Sequence, residues 1–461
     1  MSYLEVIKYL DSFVNYEKKP DELYLESLKL ERVEGFLRVI GHPQQSFKSV
    51  HVAGTKGKGS VCAFTAYILR EAGYKVGLFT SPHLTDVRER IRVLRPQDPN
   101  SKPVVEDFEG MIPKKDFTDL VTRLRPRIDK YCEISQYGPL TFFEIYTILA
   151  FEYFKEQKVD FAVLETGMGG RLDATNVVKP VICGITSISY DHTNKLGNTL
   201  AEIATEKAGI IKGEAVTVIS APQEEEVIKV LRKKCEESGA VLYEINKDIK
   251  FELISLNIDH QEFNIRGSLG RFNNLKIKLL GSHQLFNATL AVSLVAGIFM
   301  NSREHFKGGV FKKGLQNTCW PARFEIVSHD PLIILDGAHN VASARVLKET
   351  LKRTFPDKKV TLVLGISRDK DVLGITRELF PLAQRLILTC ADNSRAARPA
   401  DILSTGKEFL TDQKAEITRS VLEALKIVRS NPGRDILVLV AGSLFVVGEA
   451  RGIVKNLPAA G

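Results

Sequence analysis

The sequence predicts an α/β protein, with an N-terminal domain on a mostly parallel sheet that carries a small antiparallel part, followed by a second α/β domain. Three observations carry this. Short β-branched runs alternate with amphipathic helical patterns along most of the chain, as in βαβ units of a parallel sheet. A Gly-rich segment separates the first such run from the helix after it. The 461 residues are 44% apolar, enough for two or three domains each with its own core.

Residues 49–53 read as the first strand, leading through the Gly-rich turn into a helix over about 58–72. A strand at 75–79 follows, then strands at 159–164 and 181–185. Between them, Phe142, Ile145, Tyr146, Leu149 and Tyr153 share one face of a helix over 141–157 by their i, i+3, i+4, i+7 spacing. A helical pattern covers 200–211, and alternating apolar and polar residues over 251–280 predict the antiparallel excursion. Helices from about Gln284 and near Arg303 come next, and Trp320-Pro321 punctuates the chain. A second βα series starts at 332–335 and continues with strands at 360–364, 386–388 and 436–440. The expected domains are 1–318 and 319–461, with no solenoid repeat and no low-complexity tract.

Composition narrows the function classes. Glu5 and Asp11 interrupt the N-terminal apolar residues, and the uncharged apolar stretch 289–300 is too short to cross a bilayer, so neither secretion nor a membrane is expected. Six scattered cysteines without a C-x-x-C pair predict reduced thiols in a cytoplasmic protein. The net charge is 64 − 56 = +8, with acidic residues interleaved and no basic run of five, a field that suits small anionic substrates as well as it suits nucleic acid.

The chemistry begins at Gly54-Thr55-Lys56-Gly57-Lys58-Gly59-Ser60. Glycines there let backbone N–H groups turn toward a phosphate chain at a helix N-terminus, and Lys58 adds a point charge. The common phosphate-loop spacing would want Gly at Val52 and Ser or Thr at Gly59, so this is a variant. Glu165, before the Gly-rich 166–176 segment, ends a strand whose carboxyl end opens on the same crevice, where a carboxylate suits Mg²⁺. Asp191-His192 follows another strand, and Lys207 lies on the 200–211 helix. Ser81-Pro82-His83-Leu84, His283 with Asn287 on one helical face, Arg323, and Asp336-Gly337-Ala338-His339-Asn340 complete the marks.

Taken in order, 51–60, 80–84, 165–176, Asp191-His192-Thr193 with 206–210, 336–340 and Gly442-Ser443-Leu444 resemble the folylpolyglutamate synthase and bifunctional dihydrofolate synthase family of the Mur ligase superfamily. The resemblance runs almost end to end, and Lys58-Gly59-Ser60 separates the loop from that of the cell-wall Mur ligases. It implies a P-loop-type ATP-binding domain and a C-terminal Rossmann-like glutamate ligase domain. It further implies an ATP-dependent amide ligase that adds L-glutamate to dihydropteroate, to reduced folates or to both through an acyl phosphate.

By matching position, Gly54, Thr55, Gly57, Lys58, Gly59 and Ser60 bind ATP, and Asn287, Arg323, Asp336 and His339 reach the nucleotide from the domain junction. Ser81, Glu165 and His192 hold magnesium, and Lys207 matches a lysine carried as a carbamate that serves a second ion, which requires a depressed amine pKa. Lys207, His192 and Glu165 are thus the expected catalytic set, with Thr141, Leu172, Asp173 and Ala174 contacting the pterin-bearing substrate. Two departures stand beside these positions: Lys56 where many members have Asn, and Asn198 where Asp is commoner. A monomer that closes about a hinge near Trp320 and binds neither nucleic acid nor membrane completes the expectation. Two alternatives stand: a Mur-type ligase for another carboxylate acceptor, and an NTP-dependent nucleic-acid-binding protein, for which the chain lacks a basic stripe with interleaved aromatics.

Overall fold

The computed structural model describes residues 1–17, 29–97, 107–191, 193–300, 309–430 and 435–456. The first domain is built on β1 (Lys48–Ala53), β2 (Val76–Phe79), β3 (Ile91–Leu94), β4 (Phe161–Glu165), β5 (Pro180–Ile185), β6 (Thr217–Ser220) and β7 (Val241–Glu244). They form one seven-stranded sheet in the order β3-β2-β4-β1-β5-β6-β7. Only β3 runs antiparallel to its neighbour. β1, β2 and β4 are buried almost throughout because helices cover both faces, which is why β2 and most of β4 read as apolar, while β1 carries Ser49 and His51 inside. The register pairs Val52 with Glu165 and Ala53 with Ile185, so the carboxyl ends of the three central strands lie level.

Two helices bring the rest of the first site into place. Helix Lys58–Glu71 continues from the Gly-rich loop and is buried from Ser60 to Arg70. Helix Ser282–Phe299 packs along it and contributes Leu285, Ala288, Ala291, Val292 and Val295 to the same core. This helix is longer than the 289–300 stretch suggested, and by length and composition it is apolar enough to cross a membrane. Its burial accounts for that character, since 67% of the window lies inside the protein.

β8 (Ile249–Leu256), β9 (Gln261–Gly267) and β10 (Gly270–Ile277) form the expected antiparallel excursion as a separate three-stranded sheet. The helix expected near Arg303 falls partly on 301–308, outside the described residues, and a helix runs from Val310 to Asn317. Cys319 and Trp320 still pack against the first core, so the chain leaves the first domain just beyond them.

The second domain carries β11 (Glu325–His329), β12 (Leu332–Leu335), β13 (Lys359–Leu364), β14 (Ala383–Leu388), β15 (Lys414–Ile417) and β16 (Ile436–Ala441). The order is β11-β12-β16-β13-β14-β15, parallel except for β11, with an apolar cluster on each face. Charged groups join the two domains. Arg451 binds Glu325 through Nε and Nη2 at 2.8–3.0 Å and reaches Asp107 of the first domain at 2.8 Å. Arg395 Nη1 donates to the Glu17 carbonyl at 2.8 Å.

Candidate active site at the domain junction

The turn after β1 has the shape its glycines require. Gly54 and Gly57 take φ of +146° and +89°, which side-chain-bearing residues rarely adopt. Space is as restrictive as torsion: a Cβ on Gly57 would lie 2.3 Å from Asn287 Oδ1, and one on Gly59 would lie 2.8 Å from the Trp320 ring. The turn is tied to the segment after β5, where Thr55 N donates to the Ser187 carbonyl at 2.9 Å and Ser189 N donates to Thr55 Oγ1 at 3.1 Å. Helix Lys58–Glu71 has no side-chain cap, so its first N–H groups and its positive dipole end face the crevice. Ser60 is buried at its start.

Glu165 ends β4 and is 5% exposed. Its Oε2 accepts from the Ser81 amide at 3.1 Å, and Lys58 Nζ stands 4.0 Å from Oε1. Burial pushes the Glu165 carboxyl up, and Lys58 opposes that. Lys58 Nζ also donates to the Gly54 carbonyl at 3.3 Å.

Lys207, on helix Leu200–Ala208, reaches the other side of the turn and donates to the same Gly54 carbonyl at 2.9 Å. Burial lowers its pKa to about 7, aided by the nearby Lys58 charge. His192 lies outside the described residues. Its neighbour Asp191 pairs with Lys56 at 2.7 Å, so Lys56, where an Asn was the commoner choice, carries a counter-charge of its own.

The second domain supplies the facing wall. Asp336 is half-buried, its oxygens accepting from the Phe324 and Ala338 amides at 2.8 Å each. Burial raises its pKa, and Arg323 opposes. Arg323 Nη1 donates to the Ala322 carbonyl at 3.0 Å and would meet a Cβ on Gly337. His339 Nδ1 contacts the Gly337 carbonyl at 2.7 Å, and burial, with Lys56 across the junction, lowers its pKa to about 4. Asn287 Nδ2 donates to Gln284 Oε1 at 3.0 Å, leaving Oδ1 against the turn.

The four positions expected to meet the pterin-bearing substrate lie on the β4 side. Thr141 is the N-cap of helix Phe142–Glu156 in a capping box with Glu144, which pairs with buried Arg32 at 3.0 Å. Asp173 spends its whole carboxylate inside the loop, accepting from Thr175 N and Oγ1 at 3.0 and 2.5 Å and from the Gly167 and Met168 amides at 2.9 and 3.0 Å. It therefore shapes the turn, with Leu172 half-buried and Ala174 buried beside it. Sequence reasoning missed Trp320, read as punctuation and in fact the wall behind Gly59, and Thr186, whose Oγ1 would lie 1.8 Å from a Cβ on Gly54. The tight turn was the available signal, since something must fill the space that its glycines leave.

Three buried polar atoms beside this crevice have no hydrogen-bond partner among the described residues: Thr186 Oγ1, His283 Nδ1 and Trp320 Nε1. Such orphans suit a site that receives a polar ligand. A buried carboxylate with a lysine only at 4.0 Å, beside the Ser81 backbone, suits a hard cation, because Mg²⁺ takes one or two protein oxygens and completes its shell with phosphate and water.

Comparison with known proteins gives a consistent answer. The Mur ligase middle domain family matches residues 132–295, and the Mur ligase glutamate ligase domain family matches 322–444. A dihydrofolate synthase/folylpolyglutamate synthase of Bacillus subtilis is 34% identical over 92% of this chain and 95% of its own length. A dihydrofolate synthetase of Saccharomyces cerevisiae is 32% identical over 92% of this chain and 96% of its own. A crystal structure of Mycobacterium tuberculosis folylpolyglutamate synthase complexed with ADP and AMPPCP superposes with a TM-score of 0.85 at 28% identity, covering 99% of both chains.

Proposed function

The chain belongs to the folylpolyglutamate synthase/dihydrofolate synthase family of Mur-type ligases, and from that membership we propose that it is an ATP-dependent ligase joining L-glutamate to the carboxylate of dihydropteroate or a reduced folate. One observation carries the reading beyond the family. Lys58 and the depressed amine of Lys207 meet on a single carbonyl of the turn, that of Gly54, and Lys58 stands between it and the buried Glu165 at 4.0 Å, opposite Asp336 and His339 of the second domain.

In this reading the amides of Gly57, Lys58, Gly59 and Ser60 hold the phosphate chain, with Gly54 and Thr55 setting the turn. Asn287, Arg323, Asp336 and His339 enclose the nucleotide from the junction. Glu165, Ser81 and His192 are the residues that would hold Mg²⁺, which supplies charge neutralisation for phosphoryl transfer. A substrate carboxylate oxygen bonds to the γ-phosphorus as the β,γ bridging bond breaks and ADP leaves with its electron pair. The amine of L-glutamate then attacks the acyl carbon, inorganic phosphate departs, and the amine sheds its proton. Both steps depend on alignment, which the facing walls impose.

Lys207 deepens the proposal. A neutral amine adds CO₂ to give a carbamate and a proton, and a pKa of about 7 keeps much of the amine neutral at physiological pH. The carbamate would turn this buried cation into an anion beside Lys58 and serve a second ion. Thr141, Leu172 and Ala174 line the face given to the pterin-bearing substrate, and Asp173 sets that face's shape. We assign the expected 1–318 and 319–461 domains with the boundary moved just beyond Trp320, because Cys319 and Trp320 pack against the first core, and with the hinge there, in a monomeric cytoplasmic enzyme acting on free small molecules. The free cysteines and interleaved charge support that placement.

The test is ADP release with Mg-ATP and L-glutamate in parallel arms containing dihydropteroate, tetrahydrofolate or neither. Release that requires dihydropteroate establishes the dihydrofolate synthase activity, and release with tetrahydrofolate as well makes the enzyme bifunctional. Turnover with tetrahydrofolate alone marks a polyglutamate synthase, and silence in both folate arms overturns the proposal.

A further inference from the structure

A fully buried histidine outside the expected site set connects the phosphate-loop strand to the substrate side of the crevice. His51 lies in the middle of β1, opposite Leu164 of β4 and Cys183 of β5, and has no exposed surface. Its Nε2 lies 2.8 Å from Thr175 Oγ1, and that hydroxyl donates to Asp173 Oδ1 at 2.5 Å. Asp173 Oδ2 in turn takes the Gly167 and Met168 amides at 2.9 and 3.0 Å.

The proton positions along this chain follow from counting donors. Asp173 receives three backbone N–H groups and one hydroxyl on two oxygens, so it acts as an acceptor-only carboxylate. The single proton of Thr175 is committed to it. At its other contact the hydroxyl therefore accepts, and His51 must carry its proton on Nε2. The remaining nitrogen, Nδ1, is buried without a partner among the described residues. An apolar residue would fill this strand position without that cost, so the imidazole is retained for what its one N–H holds.

We infer that His51 is a positioning residue for the carboxylate substrate, fixing the Gly167–Met168 turn through Thr175 and Asp173. The inference rests on the folate-ligase reading for the identity of that substrate. The turn is crowded on its far side, where a Cβ on Gly167 would lie 2.6 Å from the Phe143 ring, so it can loosen only toward the crevice. Among the described residues, none of the hydrogen bonds of His51, Thr175 and Asp173 goes to residues 54–60, so the folate and ATP constants are expected to respond differently.

Steady-state kinetics on His51→Leu, His51→Gln, Thr175→Val and the Leu/Val double variant test this. His51→Leu is expected to raise KM for the folate substrate about tenfold, the worth of one hydrogen bond, with KM for ATP held within about twofold. The Gln side-chain amide reaches the Nε2 position and restores most of the loss. Thr175→Val reproduces the defect, and the double variant is no worse than either single one. Equal rises in both KM values, no rescue by Gln, or a full additive loss in the double variant overturns the inference. ¹⁵N NMR of the wild-type imidazole gives a readout independent of turnover: the Nε2–H tautomer is expected, and an Nδ1–H tautomer overturns the relay. Should wild-type protein release no ADP with either folate, the functional reading fails, and the tautomer alone decides whether the relay exists.

Discussion

Replacing Lys207 with Met separates its charge from its size, and the consequence can be worked from its surroundings. The folded pKa is about 7 and the ordinary lysine value is 10.5, so between those pH values the unfolded chain binds more protons than the folded one. Stability of the wild type therefore rises with pH through that window, and the penalty is fully present below it. Linkage puts the penalty at about 4 kcal/mol at pH 7 and about 2 kcal/mol at pH 9. Met does not titrate, and the lost bond to the Gly54 carbonyl adds an offset that is the same at both pH values. Urea denaturation of both proteins in CO₂-free buffer should show the stability difference, Met variant minus wild type, larger at pH 7 than at pH 9 by about 2 kcal/mol. Readmitting ¹³C-labelled CO₂ should give a carbamate resonance in the wild type alone. A stability difference that does not change with pH would refute the reasoning, since it would mean that the amine stays charged where it is buried.

Gly57→Ala places a side chain at φ +89° against Asn287 and should weaken nucleotide binding at least tenfold by calorimetry. Gly73→Ala, at φ +96° with no atom near its Cβ, should cost only the torsional strain of about 1–2 kcal/mol and leave binding intact. Thr141→Ala removes an N-cap and should lower stability by about 1 kcal/mol in urea, while Thr141→Ser keeps the cap. Glu325→Gln leaves the buried Arg451 guanidinium paired with Asp107 and should destabilise by about 1–3 kcal/mol, whereas Arg451→Met takes the guanidinium away from both Glu325 and Asp107 and should cost more by thermal unfolding.

The parallel strands around β1 were legible because helices bury both of their faces, leaving continuous apolar runs. β3, β6, β7, β11 and β15 went unread for the opposite reason: they are short, and several lie at or near sheet edges with half-exposed residues. In the site, the Gly-rich turn, Glu165 and Lys207 could be named because their order along the chain is distinctive. The meeting of Lys58 and Lys207 on the Gly54 carbonyl, with Glu165 beside Lys58, could not, since spacing says nothing about where a helix 153 residues later points its amine. Thr141 and Asp173 show a further limit. Residue type announces a polar group, but only the surroundings reveal that one is a helix cap and the other is saturated by its own loop. Trp320 was hidden for the same reason, as a large side chain whose meaning lies in the glycine it faces.

The Trp320 and Asn287 walls also bear on how the protein is made. The phosphate turn leaves the ribosome early, but β1 gains its flanking partners only when β4 and β5 have followed, and the turn is enclosed only after Asn287 and Trp320 emerge. Such long separations between contacting segments are slow to close. A nascent chain that ends before residue 287 thus carries every letter of the nucleotide motif without a pocket to hold one. Only a chain that extends through Trp320 can wall in the turn on both sides.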